Sequence, residues 1–243
     1  MVAAPPAPTA KPLVGVLALQ GDFEAHRRVL EGLRARVREV RVPDDLDGLD
    51  GLVIPGGEST TMTLGIEREG LAEPLRRLAG VAGAGESDSA GPAGIPFLGS
   101  CAGLIMLDRE HLSIMDMRAK RNAFGRQLRS FEADVAVKGL VGGPLRGIFI
   151  RAPWIAEHGP GVEILAEVDG HPVAARHDHI TAVAFHTELG PDDRLHRLFL
   201  ADVLASAGLA GADDVLEDRP GMGAAREDVA RRDAPGGGIA SAG

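Results

Sequence analysis

The chain has 243 residues, 44% of them hydrophobic and 25% charged, with a net charge of −9 at neutral pH. That length and balance fit one α/β domain with tails, and the acidic charge argues against a nucleic-acid partner. A single cysteine cannot close an intrachain disulfide, which fits a reducing cytoplasm, and no run approaches the roughly 18 apolar residues that cross a membrane.

Residues 1–12 are rich in Ala and Pro and read as a flexible lead-in without the basic and apolar regions of a signal peptide. Residues 13–20 are a continuous apolar run, suited to a strand buried on both faces. A helix is expected from Phe23, with Phe23, Ala25, Val29, Leu30 and Leu33 on its apolar side and Asp22 placed to cap it. Residues 37–42 and 51–55 suggest two more strands, joined by an acidic connection. Gly56 and Gly57 then mark either a close backbone approach or a plain turn followed by an N-cap from Ser59 or Thr60. Residues 64–78 are helical in pattern with a break near Gly70, and 80–94 form a Gly- and Ala-rich surface loop.

Residues 95–107 are the centre of the sequence. A short apolar strand, a turn and an apolar helix surround Cys101, with Gly99 and Gly103 completing the pattern G-x-C-x-G. This is the nucleophile-elbow pattern with sulfur in place of oxygen; the alternative is a small buried hydrophobe, and the elbow is expected provided a base lies elsewhere in the chain. The turn lifts the thiol clear of the sheet, small neighbours leave room for a substrate, and the helix N-terminus favours thiolate. The Ala102 N–H is free to donate to an oxyanion.

Further on, residues 118–127 are basic and loop-like, either solvated or aimed at an anion. Residues 130–137 and 147–153 suggest strands, the second ending near Arg151. Residues 163–166, 173–176 and 180–185 are short strands, and 194–206 is an amphipathic helix. The composition shifts after 206, so residues 207–243 are expected to form a disordered tail. The folded part is therefore 13–206. Its alternation of strands and helices, followed by short strands, argues for a doubly wound sheet with helices on both faces and a small antiparallel extension.

A cysteine nucleophile needs a base and the base needs an orienter. His186 follows an apolar strand, and Glu188 projects to the same side in extended chain. Gly99-Ser-Cys-Ala-Gly103 with Phe185-His-Thr-Glu188 resembles the class I, triad-type glutamine amidotransferases. Ala18-Leu-Gln-Gly-Asp22, Pro55-Gly-Gly-Glu-Ser-Thr-Thr-Met62, Arg121-Asn-Ala-Phe-Gly-Arg-Gln127, Ser130-Phe-Glu132 and Phe149-Ile-Arg-Ala-Pro153 narrow the likeness to the glutaminase subunits of pyridoxal 5′-phosphate synthase.

The resemblance implies a flavodoxin-like fold and hydrolysis of L-glutamine to glutamate and ammonia. Cys101 would be nucleophile, His186 base and Glu188 its orienter, with an oxyanion hole at Gly57 and Ala102. Glutamine would be held by Gly57, Glu58, Ser59, Arg121, Ile150 and Arg151. It also implies ammonia delivery to a (β/α)₈ synthase subunit in a complex of twelve plus twelve, with no cofactor and no metal in the glutaminase. The chain departs from the pattern at Ser100, where Thr is usual, and at Thr187, where Pro is usual. It has a short 107–121 connection and a long 80–94 loop. Two alternatives share parts of the pattern: a stand-alone thiol hydrolase of the γ-glutamyl hydrolase kind, and a non-catalytic flavodoxin-like binding or stress module. His177 and His179 form a weak metal motif without further obvious ligands, and Trp154 reads as packing or partner contact.

Overall fold

A computed structural model describes residues 11–81, 94–121 and 130–216. The lead-in up to residue 10, most of the 80–94 loop, the basic run beyond Arg121 and the tail beyond 216 lie outside the described residues.

The first half alternates β1 (Leu13–Leu17), α1 (Phe23–Gly32), β2 (Arg36–Val40), β3 (Gly51–Ile54), α2 (Ser59–Arg68), α3 (Ala72–Leu78), β4 (Phe97–Ser100) and α4 (Ala102–Leu107). The second half adds β5 (Met117–Lys120), β6 (Ser130–Val135), β7 (Leu145–Ile150), β8 (Trp154–His158), β9 (Glu163–Val168), β10 (His171–His177), β11 (Ile180–Val183), α5 (Arg194–Ser206) and α6 (Ala212–Leu216).

The main sheet runs β2-β1-β3-β4-β11-β10-β9. Its first five strands are parallel, in the 2-1-3-4-5 order of flavodoxin-like folds. The last two join antiparallel. Every residue of β3 and β4 is buried, as continuous apolar strands require when both faces are covered. The cover is visible from β3. A side chain at Gly51 would meet Phe199 and Val203 of α5, whereas Ile54 lies against Gly103 of α4. Residues three apart on a strand face opposite ways, so α5 and α4 lie on opposite faces.

Two small sheets complete the fold. β6 and β7 form a hairpin, seated by Phe149, which stacks on Phe131 at 4.5 Å and meets Phe185 at 5.4 Å. β5 pairs antiparallel with β8. Residues 118–127 are loop-like in sequence, but the first of them are strand. The pairing with β8 is nonlocal, and a stack of Trp154 on His171 at 3.6 Å fixes β8 in place. The short 107–121 connection is organised by Asp108. Its buried carboxylate accepts from the Glu110, His111 and Ala119 backbone N–H groups at 2.9, 3.1 and 3.1 Å and from His111 Nδ1 at 2.7 Å.

Two capping expectations are corrected. Asp22 stands at the N-cap of α1, but its side chain makes no capping bond. α2 is capped by Glu58, not by Ser59 or Thr60. The apolar face of α1 also differs in detail: its buried residues are His26 and Leu30. The 64–78 pattern resolves into α2 and α3 around Gly70, whose φ of 67° breaks the helix. Beyond Ser206 the chain continues into α6, with Leu209, Ala212 and Val215 packed against the core.

Candidate active site

The C-terminal ends of β1, β3, β4 and β11 meet at one end of the sheet, where the strand order reverses. β4 delivers Cys101 there. The residue has φ 49° and ψ −101°, an unfavourable backbone for any residue but glycine, so the turn is held by its surroundings. The Cys101 N–H donates to the Val183 carbonyl at 2.8 Å. The flanking glycines serve close packing more than substrate room. A Cβ at Gly103 would lie 2.0 Å from the Ile54 carbonyl oxygen, and one at Gly99 would lie 2.9 Å from the Gly103 backbone. Strand and helix approach so closely that the turn between them stays sharp. Ala102 opens α4, where an amide has no intrahelical acceptor.

His186 lies just past β11. Its backbone exchanges two hydrogen bonds with Ile148 of β7, at 2.8 and 3.2 Å. Its Nδ1 sits 2.6 Å from Glu188 Oε1, and the neighbouring Cys101 favours its charged form. Burial opposes a charged imidazole here, but the contacts with Cys101 and Glu188 outweigh it and raise the His186 pKa to about 10. Glu188 is fully buried at its side chain. Burial again opposes the charge, yet His26 and His186 beside it hold the carboxyl well below the usual range. Thr187, in place of the usual Pro, leaves this contact intact.

A cleft of about 410 Å³ opens over Cys101. It brings together the expected residues Gly57, Glu58, Ser59, Ala102, Arg121, Ile150, Arg151 and His186 with Cys101. Glu188 lies behind His186 and does not line it. The Ile150 carbonyl is 3.9 Å from Cys101 Sγ. Arg121 directs its guanidinium to the Ser59 hydroxyl at 3.1 Å and the Thr60 hydroxyl at 3.4 Å. Those hydroxyls are available because Glu58 does the capping. Its carboxylate accepts from the Thr60 and Thr61 N–H groups at 3.0 and 2.7 Å, and the Thr61 and Thr60 bonds lower its pKa to about 2.

Gly56 and Gly57 are close-approach glycines. A Cβ at Gly56 would sit 2.3 Å from His186 Cε1, and one at Gly57, where φ is 137°, would sit 2.4 Å from Gln20 Oε1. Gln20 accepts the Glu58 N–H at 2.9 Å, so the loop after β1 holds the loop after β3.

Sequence reasoning missed Asp22, Thr60 and Ile105 in the cleft. For Asp22 the available signal was its place in the loop after the first strand. Donor atoms of Asp22, His186 and Glu188 lie within 4.8 Å of one another, a grouping that could in principle hold a metal. Within that grouping, His186 Nδ1 and Glu188 Oε1 are engaged with each other at 2.6 Å. No helix among the described residues is long and apolar enough to cross a membrane.

Comparison with known proteins gives this geometry a family. Residues 16–205 match the SNO glutamine amidotransferase family. The chain belongs to that family. Pyridoxal 5′-phosphate synthase subunit PdxT of Acidothermus cellulolyticus is 48% identical over 215 residues, covering 82% of this chain and 98% of that one. The protein of the same name from Geobacillus kaustophilus is 46% identical over 194 residues, covering 77% and 92%. A solved glutamine amidotransferase matches with TM-score 0.68 and 39% identity, covering 80% of this chain and 98% of its own. A glutamine amidotransferase from Thermotoga maritima shares the fold, with TM-score 0.52 at 14% identity and coverage of 85% and 84%. The expected flavodoxin-like α/β fold and glutamine amidotransferase activity are therefore those of an SNO-family enzyme. None of these likenesses favours the stand-alone hydrolase or the non-catalytic module.

Proposed function

We infer that this chain hydrolyses L-glutamine to glutamate and ammonia as the glutaminase subunit of a pyridoxal 5′-phosphate synthase, using Cys101, His186 and Glu188. The observation that carries the reading is the buried Cys101–His186–Glu188 series opening onto a cleft with two arginines. Cys101 Sγ attacks the side-chain carboxamide carbon of glutamine, and the developing oxyanion is held by the amides of Ala102 and Gly57. His186 gives its proton to the departing nitrogen, which leaves as ammonia. It then takes a proton from water as that water attacks the thioester, and glutamate leaves as Cys101 is restored. Glu188 fixes the imidazole and stabilises its charge. The α-carboxylate of glutamine fits Arg121 or Arg151. Glu58 has its carboxylate committed to the helix cap, so its share in binding falls to the backbone.

The names of its relatives support a synthase partner for this chain as well, and the resemblance implies twelve copies of each subunit. Free ammonia is mostly ammonium at neutral pH and is lost to solvent, so gating by the partner would conserve glutamine. The gate in this reading is the Gly56–Gly57 peptide, because glycine peptides rotate at low cost once the Gly56 carbonyl leaves its seat against Gly21. One missing oxyanion donor typically lowers kcat by about 10²–10³. The test is ammonia release from the purified glutaminase, first by itself and then with the synthase partner titrated in, with the mass of the complex measured in parallel. Near-silence alone and activation by the partner is expected. Full activity alone, unchanged by the partner, would refute gating, and no activity in either state would refute the glutaminase reading.

A further inference from the structure

Behind the catalytic residues, α1 and α5 bring two more histidines together. His26 is 1% exposed and His196 is fully buried. His26 Nδ1 lies 2.9 Å from His196 Nε2. Its Nε2 lies 3.0 Å from Ser100 Oγ and 3.3 Å from Glu188 Oε1. That same Glu188 oxygen receives His186 Nδ1 at 2.6 Å. A polar file thus runs from α5 through His196, His26, Glu188 and His186 to Cys101.

The hydrogens along the file follow from the contacts. Glu188 is held ionised, so an unprotonated Nε2 on His26 would set a lone pair against a carboxylate oxygen. Nε2 therefore carries a hydrogen, which lies between its hydrogen-bond partner Ser100 Oγ at 3.0 Å and the Glu188 carboxylate oxygen at 3.3 Å, and its positive end faces both. Burial drives His196 down to about 3, so it is neutral and has one N–H. His196 Nδ1 has no hydrogen-bond partner among the described residues, and an idle lone pair costs less than a buried orphan N–H. The hydrogen is assigned to Nε2, facing His26 Nδ1.

Glu188 Oε2 also has no hydrogen-bond partner among the described residues. The carboxylate is therefore oriented wholly through Oε1, with His186 on one side and His26 on the other. We propose that His26 is a positioning residue of the glutaminase, its Nε2–H holding the Glu188 carboxylate against His186 while His196 and Ser100 hold His26. Without that donor the carboxylate is held by His186 alone, and the contact that sets the imidazole's tautomer is less firmly fixed. The inference rests on the catalytic roles proposed above.

The test uses the glutaminase together with its synthase partner. His26→Leu removes the donor while filling the space, and should lower kcat roughly 10- to 100-fold, the usual cost of a lost charged hydrogen bond. KM for glutamine should stay within about twofold, because the contact acts on the base and not on bound substrate. His26→Gln places an amide N–H near the position of Nε2 and should recover most of the loss. Wild-type kcat in a folded His26→Leu protein, or a Gln variant no better than Leu, would overturn the proposal. If His26→Leu does not fold, nitrogen NMR of the wild-type histidines decides. A protonated Nε2 on His26 supports the assignment, and an unprotonated one refutes it. The NMR result needs no turnover, so a wild type that releases no ammonia with its partner would count against the glutaminase reading alone.

Discussion

Gly56 offers the sharpest test of how the base is held. In Gly56→Ala the new methyl carbon would fall 2.3 Å from His186 Cε1, where ordinary contact begins near 3.4 Å. With the Gly56–Gly57 peptide seated as it is here, the glycine loop cannot yield easily. It is hemmed from behind by Gly21, where even a Cβ would lie 1.9 Å from the Gly56 carbonyl oxygen. The imidazole must therefore give way by about 1 Å, against a 2.6 Å hydrogen bond to Glu188 that anchors it. A misplacement of about 1 Å at a catalytic group can lower the rate by about 10²-fold. The expected outcome is a loss of that order in kcat for ammonia release in the presence of the synthase partner, with KM changed far less. Circular dichroism and a melting curve establish that the variant is folded. Wild-type turnover in a folded Gly56→Ala protein would show that His186 has slack the structure denies, and the reasoning would fail.

Other consequences are as direct. Cys101→Ala and Cys101→Ser should abolish ammonia release with the fold intact, and a glutamine-analogue electrophile should label Cys101 in the wild type; persisting release in either variant would disprove the nucleophile. His186→Asn should be about as damaging as loss of the cysteine, and Glu188→Gln milder, since members of such a set act as a unit but orienting contributes less than supplying the base; unchanged kcat in folded Glu188→Gln would remove Glu188 from the mechanism. Arg121→Ala and Arg151→Ala should raise KM for glutamine roughly 10- to 100-fold, the cost of losing one charged partner; unchanged KM in both would return them to solvent-facing roles. Glu58 should make stability depend on acid: its carboxyl is lowered from 4.5 to about 2 by the cap, so its contribution is present above pH 4.5 and lost as pH falls through about 2. The melting-temperature gap between wild type and Glu58→Gln should close over that window, and a constant gap would contradict the cap.

β1, β3 and β4 were legible because they are apolar runs with glycine in or just after them, a pattern that double-sided burial imposes. Cys101 was legible because both of its glycines are demanded by strand–helix contact. His186 and Glu188 were found through their spacing and their place after a strand. β5 and β8 were not, because their residues alternate weakly and their pairing is settled by partners distant in the chain, such as His171 under Trp154. The Glu58 cap was hidden because Ser59 and Thr60 are stronger cap formers by type. His26 and His196 were hidden for another reason. Each sits in the buried stripe of an amphipathic helix, in step with Leu30 and with Phe199 and Leu200, and a histidine there looks like an interruption of the core until the partner helix is placed beside it.

The two backbone hydrogen bonds between Ile148 and His186 splice the base onto the β6–β7 hairpin. That hairpin also carries Ile150, whose carbonyl approaches the thiol, and leads into Arg151 at the cleft. Cys101 stands at the seam of β4 and α4 and is tied to the other side of the base by its N–H bond to Val183 at the end of β11. The base and one wall of the cleft therefore share a single backbone splice. Anything that leans on the outer side of the hairpin adjusts substrate grip and proton transfer in the same stroke.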